Sequence, residues 1–394
     1  MLIGLVGKPS SGKSTFFKAA TLAEVEIASY PFTTIKANHG VGYVKVDCIE
    51  QEFGVKCNPA HGFCIRGNRF VPVELMDVAG LVPGASEGKG LGNQFLDDLR
   101  QADAFIHIVD ASGTTDEEGK PVANHDPSRD ILFLENELNR WFYNIMMKAW
   151  KGFIKKTEQE KGNFAEAVAK QFSGLKVTEE HVKKVLTRLR LPERPTDWNE
   201  DHLFWFASEL RTESKPTIIA ANKVDLEKAY SNYQLLKMKF PGLIILPCSA
   251  DSELALREAA KSGLIDYIPG EKSFEIKGEL TDEQKSALSK IKESVLDKFK
   301  EGTGVQEILN HAIFNLLKYI AIFPAGANKL ADSKGRVLPD CFLLPNGSTA
   351  LDFAYHLHTD FGNNFIKAID ARTKKAIGKN YELKHRDALE IVSK

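Results

Sequence analysis

The chain has 394 residues, 43% apolar and 27% charged, an ordinary composition for a folded protein of two or three domains. With 52 Lys and Arg against 53 Asp and Glu the net charge is −1, which excludes a general attraction to nucleic acid or acidic membranes; any basic surface has to be local. The opening MLIGLVG is too short for a signal peptide, no apolar run nears the ~20 residues of a membrane span, and five cysteines suit a reducing compartment, so a cytoplasmic protein with no membrane partner is expected.

Leu2 to Val6 reads as a short buried strand. It feeds Gly7-Lys8-Pro9-Ser10-Ser11-Gly12-Lys13-Ser14, a full G-x-x-x-x-G-K-[ST] loop, and then a helix from Thr15. Glycines let successive backbone N–H groups turn toward a β-phosphate, and the helix start adds its positive end. Residues 7–15 are therefore expected to bind nucleotide, with Lys13 reaching the β- and γ-phosphates and the Ser14 hydroxyl ligating Mg²⁺. YPFTTIKANHG (30–40) offers Thr34 as a second Mg²⁺ ligand. Lys13 and Thr34 are the residues expected to serve the chemistry directly.

VELMDVAG reads as a strand ending in Asp77, expected to hold the metal through water, with Gly80 completing D-x-x-G. The next position, where a glutamine commonly orients the attacking water, is Leu81. FIHIVDAS (105–112), TIIAANKVD (217–225) and LIILPCSA (243–250) read as further strands, so the class is α/β with a doubly wound, mainly parallel sheet. His107 lies mid-strand and reads as a hydrogen-bonded core histidine.

Asn222-Lys223-Val224-Asp225 points to guanine. The Asp225 carboxylate can accept from both N1–H and the exocyclic amine of guanine, which adenine does not offer. A carboxylate left unpaired gives discrimination on the order of 10⁴-fold. Lys223 is expected over the base plane, and the backbone of Ser249 and Ala250 at its O6.

Between 113 and 215 the nucleotide motifs stop, and helical spacing takes over: Asp126-Pro127 as a helix start, Leu134 to Phe153 as an apolar stripe, a second helix after Thr178, and a third over 202–210. Trp141, Phe142 and Trp150 read as the core of this insert. Cys48, Cys57, His61 and Cys64 could hold zinc or form a disulfide. Their C-x8-C-x3-H-x2-C spacing lacks the tight C-x₂₋₄-C pair usual for zinc, which favours ordinary loop cysteines. The segment 305–318 reads as the closing helix of a nucleotide-binding domain over 1–318. Residues 319–394 then read as short strands around a helix opened by Thr349 and Asp352 in a capping box, in ββαββ order. Arg372, Lys374, Lys375, Lys379, Lys384 and Arg386 form a basic strip suited to phosphate backbones.

YPFTTI, DVAGLVPGASEGKGLGNQFLDDLRQAD (77–103) and NKVD resemble the Obg-like GTPases, in the branch holding YchF and the DRG proteins. PNGSTALDFAYHLHTDFG resembles the TGS domain, a ubiquitin-like β-grasp module. The resemblance implies a slow, Mg²⁺-dependent GTPase switch binding GTP and GDP. It also implies a hydrophobic Leu81 turned away from the phosphate, a helical insert, and a TGS domain that contacts the ribosome or RNA rather than DNA, in a monomer. YchF proteins that prefer ATP have lost the NKxD that this chain keeps whole. Potassium-stimulated relatives carry Asn where Ser10 stands, which argues against potassium activation. The rival readings are an ATPase of the same fold with a regulatory or stress role, and a ribosome-binding scaffold whose nucleotide is structural.

Overall fold

The computed structural model describes residues 1–22, 38–78, 80–81, 84, 99–159, 162–332 and 334–394. Strand β1 (Leu2–Val6) is buried along its whole length, as a central parallel strand covered on both faces must be. It pairs in parallel with β4 (Asn68–Asp77) on one side and β5 (Ala104–Asp110) on the other. β5 pairs with β6 (Thr217–Asn222), and β6 with β7 (Ile245–Pro247), again in parallel. The antiparallel β2 (His39–Asp47) and β3 (Phe63–Ile65) flank β4 and finish a seven-stranded sheet. Register sets Leu5 beside Asp77 and Asp110 beside Asn222, so the carboxyl ends of these strands share one edge. The ligand edge of an open α/β sheet is that edge.

The span between β5 and β6 is helical: α2 (Pro127–Gln159), α3 (Phe164–Gln171), α4 (Glu179–Arg188) and α5 (Glu200–Ser214). Asp126 starts α2 by accepting from the Ser128 N–H at 2.9 Å, and Thr178 opens α4 through a capping box closed by His181. α5 runs longer than 202–210, and α3 goes beyond the sequence reading because eight residues carry too short an apolar repeat to stand out. Trp141, Phe142 and Trp150 are buried, and Trp150 stacks on Trp198 with ring centroids 5.5 Å apart.

After β6 come α6 (Ala229–Lys239), α7 (Ala250–Lys261), the hairpin β8 (Ile265–Tyr267) and β9 (Phe274–Ile276), α8 (Asp282–Ile291) and α9 (Val305–Asn310). The closing helix expected over 305–318 is α-helical only to Asn310 and widens into a π turn over His311–Leu316. The C-terminal sheet contains β10 (Tyr319–Pro324), β11 (Phe342–Pro345), β12 (Phe365–Asp370), β13 (Ala376–Ile377) and β14 (Ala388–Ser393), in the order β11-β10-β14-β12-β13. Parallel β10 and β14 sit at its centre, and α10 (Ala350–Leu357) packs Phe353 against Ile320, Ile322, Leu344 and Leu389. This is a β-grasp. The Thr349 side chain caps α10 with Asp352 in the expected box.

The basic strip divides. Glu52, beyond β2, accepts from Arg372 Nε at 2.5 Å and pairs with Arg386, whose Nε also donates to the Asp47 carbonyl. Lys374 donates to the Ala327 carbonyl. Three of the six cations thus hold the β-grasp domain together and to the sheet domain. Lys375, Lys379 and Lys384 remain exposed.

Candidate nucleotide site

The loop after β1 is shaped by glycines that nothing else could replace. Gly7 (φ 150°) would place a Cβ 2.4 Å from the Ile108 carbonyl oxygen, and Gly12 (φ 96°) would place one 2.2 Å from Asn222 Nδ2. Ser10 also takes a left-handed conformation, φ 60°. Gly12 is the N-cap of α1 (Lys13–Thr21) with no side-chain cap, so the first-turn N–H groups face outward, ready for an anion. Pro9 is tightly seated: a Cβ on Gly80 would lie 2.8 Å from its nitrogen.

Lys13 is buried and donates to the Lys8 carbonyl at 2.7 Å. Burial pulls its pKa down to about 8, against the opposing pull of Asp77. Ser14 Oγ donates to Asp77 Oδ2 at 2.8 Å, and Asp77 Oδ1 is buried with no hydrogen-bond partner among the described residues. The Ser14 hydroxyl offers a hard oxygen of the kind Mg²⁺ takes, and the orphaned Asp77 carboxylate oxygen supplies demand for a cation or its water. The residues present fit the ion. Thr34 lies outside the described residues.

Asn222 clips the site together. Its Nδ2 donates to the Ser11 carbonyl at 2.9 Å and its Oδ1 accepts from the Ala250 N–H at 3.0 Å. Lys223 adopts φ 66° and reaches Asp110 Oδ2 at 2.9 Å, while Asp225 Oδ1 accepts from Ser249 Oγ at 2.6 Å. The structure thus brings together Gly7 to Thr15, Asp77, Gly80, Asn222, Lys223, Asp225, Ser249 and Ala250 at the sheet edge. Lys8 joins them by backbone only. Its side chain turns away, 1% exposed, and pairs with Asp130 of α2 at 2.8 Å while donating to the Thr115 carbonyl. His125 braces the same carboxylate at 2.8 Å.

Leu81 is 1% exposed and shares an apolar cluster with Val6, Leu134 and Leu138; its N–H donates to the Gly7 carbonyl at 3.1 Å. It points into the core, as expected. His107 departs from its reading as a satisfied core histidine: its Nδ1 has no partner among the described residues. Burial, with Lys13 and Lys8 nearby, pulls its pKa down to about 3, so the ring is neutral.

Two functional residues escape the motifs. Asp110 anchors Lys223 and also accepts from Ser112 and Thr115; burial opposes its charge, but these hydrogen bonds hold its pKa below the usual value. Its signal was an acid at the carboxyl end of an apolar strand. Asp130 carries no such signal, because nothing local marks it as the partner of Lys8.

A phosphate loop, a metal-competent Ser–Asp pair and an NKxD clip at the carboxyl edge of a parallel sheet define a P-loop GTP-binding protein. A family model described as "50S ribosome-binding GTPase" matches residues 2–137, one described as "Obg-like GTPase YGR210-like, G4 motif-containing domain" matches 220–326, and the TGS domain matches 325–393. An uncharacterized GTP-binding protein of Methanocaldococcus jannaschii is 49% identical, covering 100% of this chain and 99% of the relative; one of Schizosaccharomyces pombe is 39% identical, covering 89% and 88%. The crystal structure of a GTP-binding protein from Pyrococcus horikoshii, 42% identical, superposes with a TM-score of 0.79 over 100% of both chains. The chain belongs to the same family of GTP-binding proteins as these archaeal and yeast relatives, with an Obg-like G4 region and a C-terminal TGS domain.

Proposed function

We propose that the chain is a slow, Mg²⁺-dependent GTPase switch that acts on ribosomes or RNA. The observation that carries it is the Asn222–Asp225 turn, clipped to the phosphate loop through Ser11 and to Ala250, with Asp225 held by Ser249. Asp225 accepts the two guanine donors, and the backbone of Ser249 and Ala250 meets O6. The N–H groups of residues 7–15 and Lys13 bind the phosphates and offset charge that develops as water attacks the γ-phosphate. Ser14, Asp77 and Thr34 would hold Mg²⁺, which would supply positive charge against the negative charge developing on the phosphates.

Leu81, buried in an apolar cluster, stands where a glutamine commonly orients the attacking water, and an apolar side chain cannot position it. Groups of that kind are worth roughly 10³–10⁵ in rate, and a low intrinsic turnover follows. A relative from Buchnera aphidicola that is 28% identical over 370 residues bears the name ribosome-binding ATPase YchF, and this supports a ribosomal partner. The remaining exposed lysines, Lys375, Lys379 and Lys384, supply a local basic face for it.

The test has two arms. Kd for GTP and ATP is measured on the wild type and on Asp225→Asn. GTP preferred by about 10⁴-fold, with xanthosine nucleotides gaining in the variant, supports the assignment; equal affinities would overturn the reading of Asp225. Ribosome co-sedimentation with GDP and with a non-hydrolysable GTP analogue then separates a switch from a scaffold, since a switch requires unequal affinities.

A further inference from the structure

Cys48, Cys57 and Cys64, read from their spacing as ordinary loop cysteines, are gathered by the fold into one cluster. Cys48 follows β2, Cys57 lies in the loop beyond it, and Cys64 sits on β3 opposite Arg69 of β4. With Glu50 from the turn between the first two, they bring three sulfurs and a carboxylate oxygen within 4.8 Å of one another. His61 is not in this set; Glu50 takes the place the sequence reading gave it.

The distances separate the alternatives. Cys48 and Cys57 sulfurs are 3.7 Å apart, and Cys64 Sγ is 3.7 Å from Glu50 Oε1. A disulfide needs about 2.05 Å. Tetrahedral zinc, with Zn–S of about 2.3 Å and Zn–O of about 2.0–2.2 Å, sets sulfurs about 3.7–3.8 Å apart and sulfur to oxygen about 3.5 Å. These two of the six edges match a coordination tetrahedron, and the other four lie within 4.8 Å.

Its surroundings agree. Arg69 is fully buried, with Nη1 3.6 Å from Cys57 Sγ, and no carboxylate pairs with it among the described residues. A buried guanidinium requires an anion. Zn²⁺ with three thiolates and one carboxylate carries a net charge of about −2, which Arg69 partly offsets. The Cys57 N–H donates to Glu50 Oε2 at 2.8 Å and fixes the carboxylate, the kind of outer contact that orients metal ligands.

The geometry points to a structural zinc site formed by Cys48, Cys57, Cys64 and Glu50, which fastens the 48–64 segment against the approach to the TGS domain. That segment is already joined there: the Asn58 and Ala60 N–H groups donate to the Val337 and Pro339 carbonyls at 2.8 and 2.7 Å, and Arg69 Nη2 donates to the Leu338 carbonyl at 2.6 Å. Soft thiolates with one oxygen select zinc over magnesium or calcium.

The full chain, purified under reducing conditions from zinc-supplemented cells, is analysed for metal by mass spectrometry, and the metal-free chain is titrated with Co²⁺. The expected results are about one zinc per chain, falling below about a tenth in Cys57→Ser and Cys64→Ser, and unchanged in His61→Ala and Cys341→Ser. Wild-type protein with Co²⁺ should show thiolate charge-transfer and tetrahedral d–d bands, a readout independent of whether any variant folds. No metal and no cobalt–thiolate band, iron in place of zinc, a Cys48–Cys57 disulfide, or zinc retained in both serine variants would each overturn the assignment.

Discussion

Nucleotide affinity should fall as pH rises through the pKa of Lys13. In the free protein burial holds that pKa at about 8, with Asp77 opposing the shift. A lysine with a lowered pKa is charged below it and neutral above it, so its ammonium is lost on the alkaline side. At pH 7 the charged and neutral forms stand at about 10:1, and at pH 9 at about 1:10. Phosphate oxygens beside the amine favour its charged form, so only that fraction of the free protein is competent to bind. The apparent Kd for GDP should therefore rise about tenfold from pH 7 to pH 9, or about 1.4 kcal/mol. His107 contributes nothing in this window, because it is already neutral well below pH 7. The measurement is fluorescence titration with a labelled GDP at constant ionic strength. Asp77→Asn removes the opposing pull and should move the fall to lower pH. A Kd constant within about twofold across pH 7–9 would refute the reasoning.

Gly12→Ala should weaken binding severely, because the Cβ would meet Asn222 Nδ2 at 2.2 Å in a left-handed backbone; calorimetry with GDP should show at least a hundredfold loss, on the order of 2.7 kcal/mol. Leu81→Gln should leave single-turnover GTP hydrolysis within about twofold of wild type. It should cost about 1–3 kcal/mol of stability in urea unfolding, since it buries an amide in an apolar cluster. Asp130→Asn strands the buried charge of Lys8 and should destabilise by about 3–5 kcal/mol; the double variant Lys8→Met, Asp130→Leu should recover at least half of that, and strict additivity in the cycle would contradict a coupled pair.

What the sequence discloses is what chemistry fixes locally. The phosphate loop is legible because the residues from Gly7 to Ser14 must be contiguous to wrap an anion, and Asn222 to Asp225 because one turn presents the whole base-reading set. The capping boxes at Thr178 and Thr349 are legible for the same reason. Relations across distance are not. Lys8 and Asp130 lie on different elements, and no periodicity says that a phosphate-loop lysine turns into a helical insert. The basic strip looks uniform in sequence, yet Glu52, over three hundred residues away, takes Arg372 and Arg386. Likewise the cysteine spacing lacks a tight pair because the loop between β2 and β3, rather than a knuckle, gathers the sulfurs.

Leu81 and Gly84 give the segment after Asp77 two moorings on the insert: Leu81 shares its cluster with Leu134 and Leu138, and the Gly84 N–H donates to Glu137 at 2.9 Å. All three partners lie near the start of α2, whose 33 residues extend about 50 Å. A tilt of a few degrees at that root becomes a displacement of several ångströms at the far tip. The phosphate loop, tied to the same root through Lys8, therefore holds the short arm of a lever, and spin-label distances from the tip to the sheet in GDP and GTP-analogue states would measure its stroke; identical distances would show the arm to be rigidly fixed.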